Sequence, residues 1–321
     1  MDDRASKCGC VGGNGVAMLS AMAVQVDDPV RLGDVRLSDG RSLGWAEWGP
    51  SDGIPVLLCP GAATSRWLGF GGGGVIEALG VRLLSVDRPG LGASTPAPGR
   101  TFSSFAGDMR QFCAQRGLGN PAVVGNSQGA PFAIACAEAG VASALAVVSG
   151  ADEVAAPQFA SVLPAELRGL VERTASDPDG AEEFFAGFTS KAMWDMVMAA
   201  SPECDLAVYG NPDFAAAYRR ALDEGFAQGA AGYARDTVLA MGRWPFELSK
   251  ISVPIDIWYG EHDTSHSPDN GALLATRMTT AQRNVVPGIG GALLWTHAEP
   301  ILRSLLTKAD RSHGTGSLIS P

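Results

Sequence analysis

The 321-residue sequence predicts an α/β protein with a mostly parallel central sheet flanked by helices and with an all-helical insertion. Short apolar runs bounded by Gly or Pro alternate with longer helix-like segments, which is the pattern of a parallel sheet with helical crossovers. The inner runs lack hydrophobic–polar alternation, as expected of strands covered on both faces. Strand signals stop between residues 157 and 245, where only helical patterns occur.

Eight segments have the composition of strands. The first two are separated by residues 38–41, Ser-Asp-Gly-Arg, a turn signal that predicts an antiparallel hairpin at the edge of the sheet. The eight predicted strands are Val30–Leu37, Ser42–Trp48, Val56–Cys59, Val81–Asp87, Ala122–Gly125, Leu145–Ser149, Ile255–Tyr259 and Asn284–Val286.

Helical patterns fall into two groups, and they divide the chain. The core helices are expected over Ser103–Arg116, Gln128–Ala139, Pro268–Arg277 and Ala298–Lys308, and the inserted ones over Pro164–Thr174, Ala181–Ala199, Pro212–Gln228 and Tyr233–Met241. We therefore expect a flexible N-terminal extension (1–27), a core (28–155 and 246–309), a helical lid (156–245) and a flexible tail (310–321).

Composition narrows the function classes. The chain carries 34 acidic and 24 basic residues, a formal net charge of −10, and 46% of its residues are hydrophobic, as in a soluble globular protein. No Lys/Arg run or membrane-length apolar segment occurs, which argues against nucleic acid or a membrane as partner. The six cysteines form no CxxC pair and favour a reduced, cytoplasmic setting. No metal or cofactor motif is present, so no cofactor is expected. The sequence neither predicts nor excludes a homodimer.

A nucleophile candidate follows the fifth predicted strand. Residues 121–129, Pro-Ala-Val-Val-Gly-Asn-Ser-Gln-Gly, run from a strand through G-x-S-x-G into a helix. A tight strand-to-helix turn exposes the serine hydroxyl, and the flanking glycines avoid clashes there. The start of the helix supplies backbone N–H groups for a developing oxyanion. Ser127 is therefore the predicted nucleophile.

In this context the chain resembles the α/β-hydrolase superfamily, especially its lid-bearing branch with prolyl-iminopeptidase-like and esterase members. The resemblance runs from about Val30 to Leu306. Residues 57–66 look like the family's His-Gly-x-Pro-x-Ser-Arg loop, with Pro60 where His is usual, and residues 87–94 match its D-x-P-G-x-G-x-S turn. The resemblance implies an oxyanion hole formed by the backbone N–H groups of Ala62 and Gln128.

The same resemblance implies where the acid of a catalytic triad lies. Residues 258–263, Trp-Tyr-Gly-Glu-His-Asp, match the family's G-x-x-D turn after a late strand, so Asp263 is the predicted acid. A carboxylate there would orient the histidine and stabilise its charged form. Asp152, which follows the sixth strand, is the alternative because some members carry the acid there.

The histidine of the triad is missing from its usual place. The family pattern puts it shortly after a Val-Pro-Gly turn, where this chain has Ala292, or Gly291 if the alignment slips by one. Three alternatives remain open. His297 lies five residues later, His266 lies on the loop of the predicted acid, and the protein could lack a catalytic histidine altogether.

Two functions follow from these alternatives. The first is a hydrolase that cleaves an ester, lactone or amide through an acyl-enzyme on Ser127. The aromatic and Met residues of the predicted lid favour a small apolar or aromatic substrate. The second is an α/β-hydrolase-fold protein that cyclises, cleaves without hydrolysis or binds its ligand without an acyl-enzyme, and Ala292 favours it because Ser is a weak nucleophile without a base.

Overall fold

The computed structural model describes residues 24–314, with side chains as far as Arg311. Within it, one eight-stranded sheet has the spatial order β1-β2-β4-β3-β5-β6-β7-β8. The strands are β1 (Arg31–Arg36), β2 (Ser42–Trp48), β3 (Ile54–Cys59), β4 (Val81–Val86), β5 (Ala122–Ser127), β6 (Ala144–Gly150), β7 (Ile255–Gly260) and β8 (Ala281–Val286). β2 is antiparallel to β1 and to β4, and every other pairing is parallel. The predicted α/β class and its edge hairpin are confirmed.

Helices cover both faces of the sheet and fill the long connection between β6 and β7. The α-helices of the described residues are α1 (Val75–Ala78), α2 (Phe102–Arg116), α3 (Gly129–Glu138), α4 (Ala165–Ser176), α5 (Pro178–Phe185), α6 (Ser190–Ala200), α7 (Glu203–Tyr209), α8 (Pro212–Gly225), α9 (Ala231–Met241), α10 (Ala272–Arg277), α11 (Leu293–Thr296) and α12 (Ala298–Gly314).

Alternate residues of the central strands pack into two separate apolar clusters. Leu57 and Cys59 of β3 contact the cluster built with α2 and α3. Val56 and Leu58 of the same strand contact the cluster built with α11 and α12. Since successive side chains of a strand point to opposite faces, both faces of β3 are apolar, which explains the unbroken hydrophobic run in its sequence.

The connection between β6 and β7 holds six α-helices, where the sequence predicted four. The predicted helix Ala181–Ala199 is divided because Thr189 caps a new helix, its hydroxyl accepting a hydrogen bond from the N–H of Ala192 at 3.2 Å. The short helix α7 was not predicted at all. We call α4–α9 the inserted helices.

The structure corrects the predicted boundaries of two core helices. α10 begins at Ala272 instead of Pro268, because side chains of the preceding loop bind its backbone: the Ser267 hydroxyl accepts from the N–H of Gly271 at 2.9 Å. α12 continues to Gly314, so residues 310–314 of the predicted tail are helical.

At the other end, the indole N–H of Trp48 donates to the carbonyl of Asp27 at 2.8 Å, so the last residues of the predicted extension contact the core. The rest of that extension and of the tail lies outside the described residues. Over residues 24–314, no helix combines the length and the apolarity needed to cross a membrane.

Candidate active site

The candidate site lies where the carboxyl ends of the central parallel strands meet. Ser127 ends β5, and Asp263 follows β7 by three residues. In open α/β sheets this edge is where ligands bind. A cavity of about 570 Å³ separates it from the inserted helices, and Ser127, Asp263 and His266 all line this cavity.

The backbone at Ser127 has the strained geometry of a sharp strand-to-helix turn. Its φ of 49° lies in the left-handed region, which is uncommon for a residue other than glycine. The turn also brings α3 against the loop after β3, since a methyl group on Gly129 would lie only 2.0 Å from the carbonyl oxygen of Cys59. Glycine is therefore required at 129 for this turn to form.

His266 is the histidine that the structure brings to the predicted nucleophile and acid. Its Nε2 lies 3.1 Å from the Oγ of Ser127. Its Nδ1 lies 2.8 Å and 3.0 Å from the two carboxylate oxygens of Asp263. A neutral imidazole in this position donates from Nδ1 to the carboxylate and accepts at Nε2 from the hydroxyl. This is the arrangement of a serine–histidine–aspartate triad.

His297 contacts neither Ser127 nor Asp263. The chain after Ala292 winds into the short helix α11, which places His297 at the helix C-terminus. There its Nδ1 lies 2.9 Å from the hydroxyl of Thr296, and the residue does not line the cavity. Burial lowers the pKa of His297 below its ordinary value of 6.5.

The residues at the usual histidine position make room for His266. A methyl group on Gly291 would lie 2.8 Å from Cε1 of the His266 ring, inside van der Waals contact. Ala292 is fully buried against Val208 and Tyr209 of α7 and Phe214 of α8. The space beside Ala292 is thus filled by apolar and aromatic side chains of the inserted helices.

The electrostatic interaction between His266 and Asp263 favours a proton on His266. The side chain of His266 is 21% exposed. Burial opposes the charged ring, but the charge and hydrogen bond of Asp263, together with the charge of Asp205, outweigh it and raise the pKa of His266 above its ordinary value of 6.5. Burial likewise opposes ionisation of Asp263, yet the His266 ring lowers the pKa of this carboxyl below 3.8. A base that gains stabilisation on accepting a proton suits proton transfer from a serine.

Ala62 and Gln128, the predicted oxyanion donors, both line the cavity beside Ser127. Ala62 follows Gly61, where a methyl group would lie 3.4 Å from Cβ of Ser127. Gln128 stands at the N-terminus of α3, where backbone N–H groups and the helix dipole favour a negative charge.

Arg88 holds the loop that contains Ala62. It is fully buried, donates to the carbonyls of Pro60 and Gly61, and forms an ion pair of 2.7 Å with Asp236 of α9. No sequence motif assigns Arg88 a role at the site. Its place in the turn after β4 carries no sign that it would reach the loop after β3.

Asp152, the alternative acid, does not contact the His266 ring. Its carboxylate accepts from the Ser267 hydroxyl at 2.8 Å, and its backbone N–H donates to the carbonyl of His266 at 2.9 Å. Burial raises the pKa of Asp152 to about 6. Asp152 therefore anchors the backbone of the histidine loop, whereas Asp263 contacts the ring.

The cavity wall is mainly apolar, and its charged side chains are all acidic. Among the described residues that line it, the charged ones besides His266 are Asp152, Asp205 and Asp263, with no Lys or Arg. The aromatic and Met residues that the inserted helices and their connections contribute are Phe184, Phe185, Phe188, Met193, Met196, Tyr209, Tyr218, Tyr233 and Met241.

Comparisons with known proteins agree with this architecture. A non-heme chloroperoxidase of Streptomyces lividans is 25% identical over 302 residues, which cover 86% of this chain and 98% of that protein. The enol-lactonase of Burkholderia xenovorans LB400 has a TM-score of 0.62 at 17% identity, covering 87% of this chain and 100% of the other. An esterase of Rhodococcus sp. ECU1013 has a TM-score of 0.62 at 18% identity, covering 87% and 98%. The family model described as alpha/beta hydrolase fold matches residues 54–298, so the chain belongs to the α/β-hydrolase family.

Proposed function

We propose that this protein is a serine hydrolase that cleaves an ester, lactone or amide bond of a mostly apolar, uncharged small molecule through an acyl-enzyme. The observation that carries the proposal is the imidazole of His266, which lies 3.1 Å from the Ser127 hydroxyl and 2.8 Å from the Asp263 carboxylate. A serine needs such a base to act as a nucleophile near neutral pH. His266 thus takes the role that Ala292 cannot fill.

In the proposed mechanism, Ser127 Oγ attacks the substrate carbonyl carbon while its proton passes to Nε2 of His266. The backbone N–H groups of Ala62 and Gln128 receive the negative charge that develops on the carbonyl oxygen. Protonated His266 then gives its proton to the leaving alcohol or amine, and the acyl group stays on Ser127. A water molecule then attacks the acyl carbon and gives a proton to His266. The bond between that carbon and Ser127 Oγ breaks as His266 returns the proton to Oγ, which releases the acid product. Asp263 orients the ring and stabilises its charged form throughout.

The cavity supports the substrate class. Its apolar wall favours a hydrophobic acyl or alcohol group, and its volume of about 570 Å³ is in the range of small-molecule sites. With three aspartates and no Lys or Arg among the described lining residues, it offers neither of the permanently charged cations that would pair with a carboxylate or phosphate on the substrate. The names of the structural neighbours, an esterase and an enol-lactonase, favour esters and lactones over amides. We further propose that the inserted helices act as a lid, as in the lid-bearing branch of the family.

The test is covalent labelling by a fluorophosphonate, followed by intact mass. An activated serine displaces fluoride and gains the phosphonyl group. We expect one label per wild-type chain, none on Ser127→Ala, and labelling slowed at least about 1000-fold on His266→Ala. His297→Ala is the matched control and should label like the wild type.

Each other result of this test has a definite meaning. Folded wild-type protein that takes no label would overturn the proposal and favour the function without an acyl-enzyme. Equal labelling of His266→Ala and the wild type would show that the assigned base is wrong. Loss of labelling in His297→Ala instead would identify His297 as the base and contradict the assignment of His266.

A further inference from the structure

A carboxylate from the inserted helices holds the turn that follows β8. Asp205 of α7 accepts hydrogen bonds from the backbone N–H of Gly290 at 3.1 Å and of Gly291 at 2.6 Å, one on each carboxylate oxygen. The residue is 1% exposed. Burial raises the pKa of Asp205, whereas the backbone N–H groups of Ala292, Gly291 and Gly290 favour its ionised form. Hydrogen bonds to an ionised acceptor are roughly twice as strong as neutral ones, so in that form Asp205 holds the turn firmly.

The same turn lies against the His266 ring. A methyl group on Gly291 would be 2.8 Å from Cε1 of His266 and 3.7 Å from an oxygen of Asp205. Gly291 is therefore packed between the imidazole and the carboxylate. A displacement of the turn would remove the surface that keeps the ring aimed at Ser127.

Asp205 also contributes charge at the site. The charged side chains facing His266 are Asp263 on its own loop and Asp205 on α7, and Asp152 of the loop after β6 binds the His266 backbone. No described Lys or Arg lines the cavity to offset them. The neighbouring Tyr209 has a pKa well above its usual range, chiefly because it is buried, and so stays neutral.

We propose that Asp205 is a positioning residue for the triad, clamping the Gly290–Gly291 turn against the His266 ring and adding a second negative charge beside it. The inference rests on the proposed hydrolytic function. It gives the inserted helices a direct role in assembling the triad, beyond covering the cavity. Because Asp205 belongs to α7, the triad has its full geometry only when α7 is packed against the turn after β8.

The charge of Asp205 and its hydrogen bonds to the Gly290–Gly291 turn should have separable effects on the labelling reaction. Removing the carboxylate should loosen the ring, and a misplacement of about 1 Å can cost roughly 100-fold in rate. Because Asp205 is one of the causes that raise the pKa of His266, its removal should also lower that pKa. The reactive form has neutral His266, so the acid limb of the pH profile should move to lower pH. A residue that merely stabilised the fold would not move this limb.

The experiment measures the rate of fluorophosphonate labelling as a function of pH, because it needs no knowledge of the substrate. For Asp205→Asn we expect a fall of about 10- to 100-fold and an acid-limb midpoint at lower pH than in the wild type. Asp205→Glu keeps the charge but is longer, so its rate should fall while its midpoint stays. Asp256→Asn is the matched control: this carboxylate is also 1% exposed, but it pairs with Lys308 at 2.5 Å, and its loss should change neither rate nor midpoint.

The outcomes distinguish the inference from the function on which it rests. Absence of label on the wild type would overturn the proposed function itself. A labelled wild type with an unchanged Asp205→Asn would overturn only the role of Asp205. A slower Asp205→Asn whose midpoint has not moved would also overturn it, since Asp205 would then be a structural residue alone. If Asp205→Asn fails to fold, Asp205→Glu decides, and a wild-type labelling rate in that variant contradicts the clamp.

Discussion

The loop after β7 and the turn after β8 lie side by side at the same edge of the sheet, yet they contribute opposite things to the candidate site. The first carries both Asp263 and His266 and presents their polar atoms to each other and to Ser127. The second has Gly291 and Ala292 where the family pattern places its histidine, and it contributes backbone and an apolar surface. Under the proposed function, the loop after β7 supplies the base that the family pattern places after β8.

This difference teaches that a triad is specified by where atoms meet, not by the order of residues along the chain. Because the carboxyl ends of neighbouring parallel strands converge, the loop after β7 and the turn after β8 both lie near Ser127. Gly291 leaves room for the His266 ring, and apolar and aromatic side chains fill the space around Ala292.

The largest expected effect is the difference in labelling rate between variants of the two carboxylates at this edge, Asp263 and Asp152. Asp263→Asn leaves the acid loop in place but removes the charge that holds the His266 tautomer, and we expect hydrolysis or labelling to fall by about 10,000-fold. For Asp152→Asn the labelling rate should fall by no more than about 10-fold, because the carboxylate of Asp152 contacts Ser267 and not the His266 ring. The measurement is the labelling rate at pH 8. Equal losses in both variants would mean that Asp152 shares the role of the acid.

A smaller effect should follow from closing the space beside the ring. Gly291→Ala adds a methyl group 2.8 Å from His266, so the ring must move, and we expect a loss of about 100-fold in rate. The control is Gly107→Ala in α2, where a methyl group meets no atom within 4 Å and activity should be unchanged. Full activity of Gly291→Ala would show that the ring position does not depend on this turn.

The smallest effect concerns the usual histidine position. In a His266→Ala background, Ala292→His should not restore labelling, because Ala292 is 0% exposed and packed by Tyr209 and Phe214. Inserting the larger side chain should instead lower the free energy of unfolding by about 1–3 kcal/mol, measured by urea denaturation. Recovery of the wild-type labelling rate would show that position 292 accepts a working histidine, so that the turn after β8 can also supply the base.

Much of the fold could be read from the sequence because its signals are local. The unbroken apolar runs of the central strands and the glycines around Ser127 report burial and backbone geometry directly, and the structure has strands at all eight predicted places. Helix α7 was missed because it is only seven residues long and too short to show a clear period. With it, sequence analysis missed Asp205, whose isolated carboxylate looks like any surface acid until the fold buries it.

The choice among histidines could not be made from sequence because it depends on two loops meeting. His266 and His297 were both near the right place along the chain. What separates them is that residues 264–271 form a loop held by Ser267 and Asp269, whereas residues 293–296 wind into a helix. Both outcomes depend on side-chain hydrogen bonds and packing that no pattern of residue types records.

The three-residue spacing of Asp263 and His266 also changes what the unfolded chain looks like. In the usual arrangement the two groups would be about 30 residues apart, and bringing them together would cost roughly 2 kcal/mol more in chain entropy than closing a three-residue loop. Here the acid and the base stay neighbours even when the sheet is lost, so part of their attraction survives in the denatured ensemble. The pair therefore contributes less to the pH dependence of unfolding than its native contact alone would suggest.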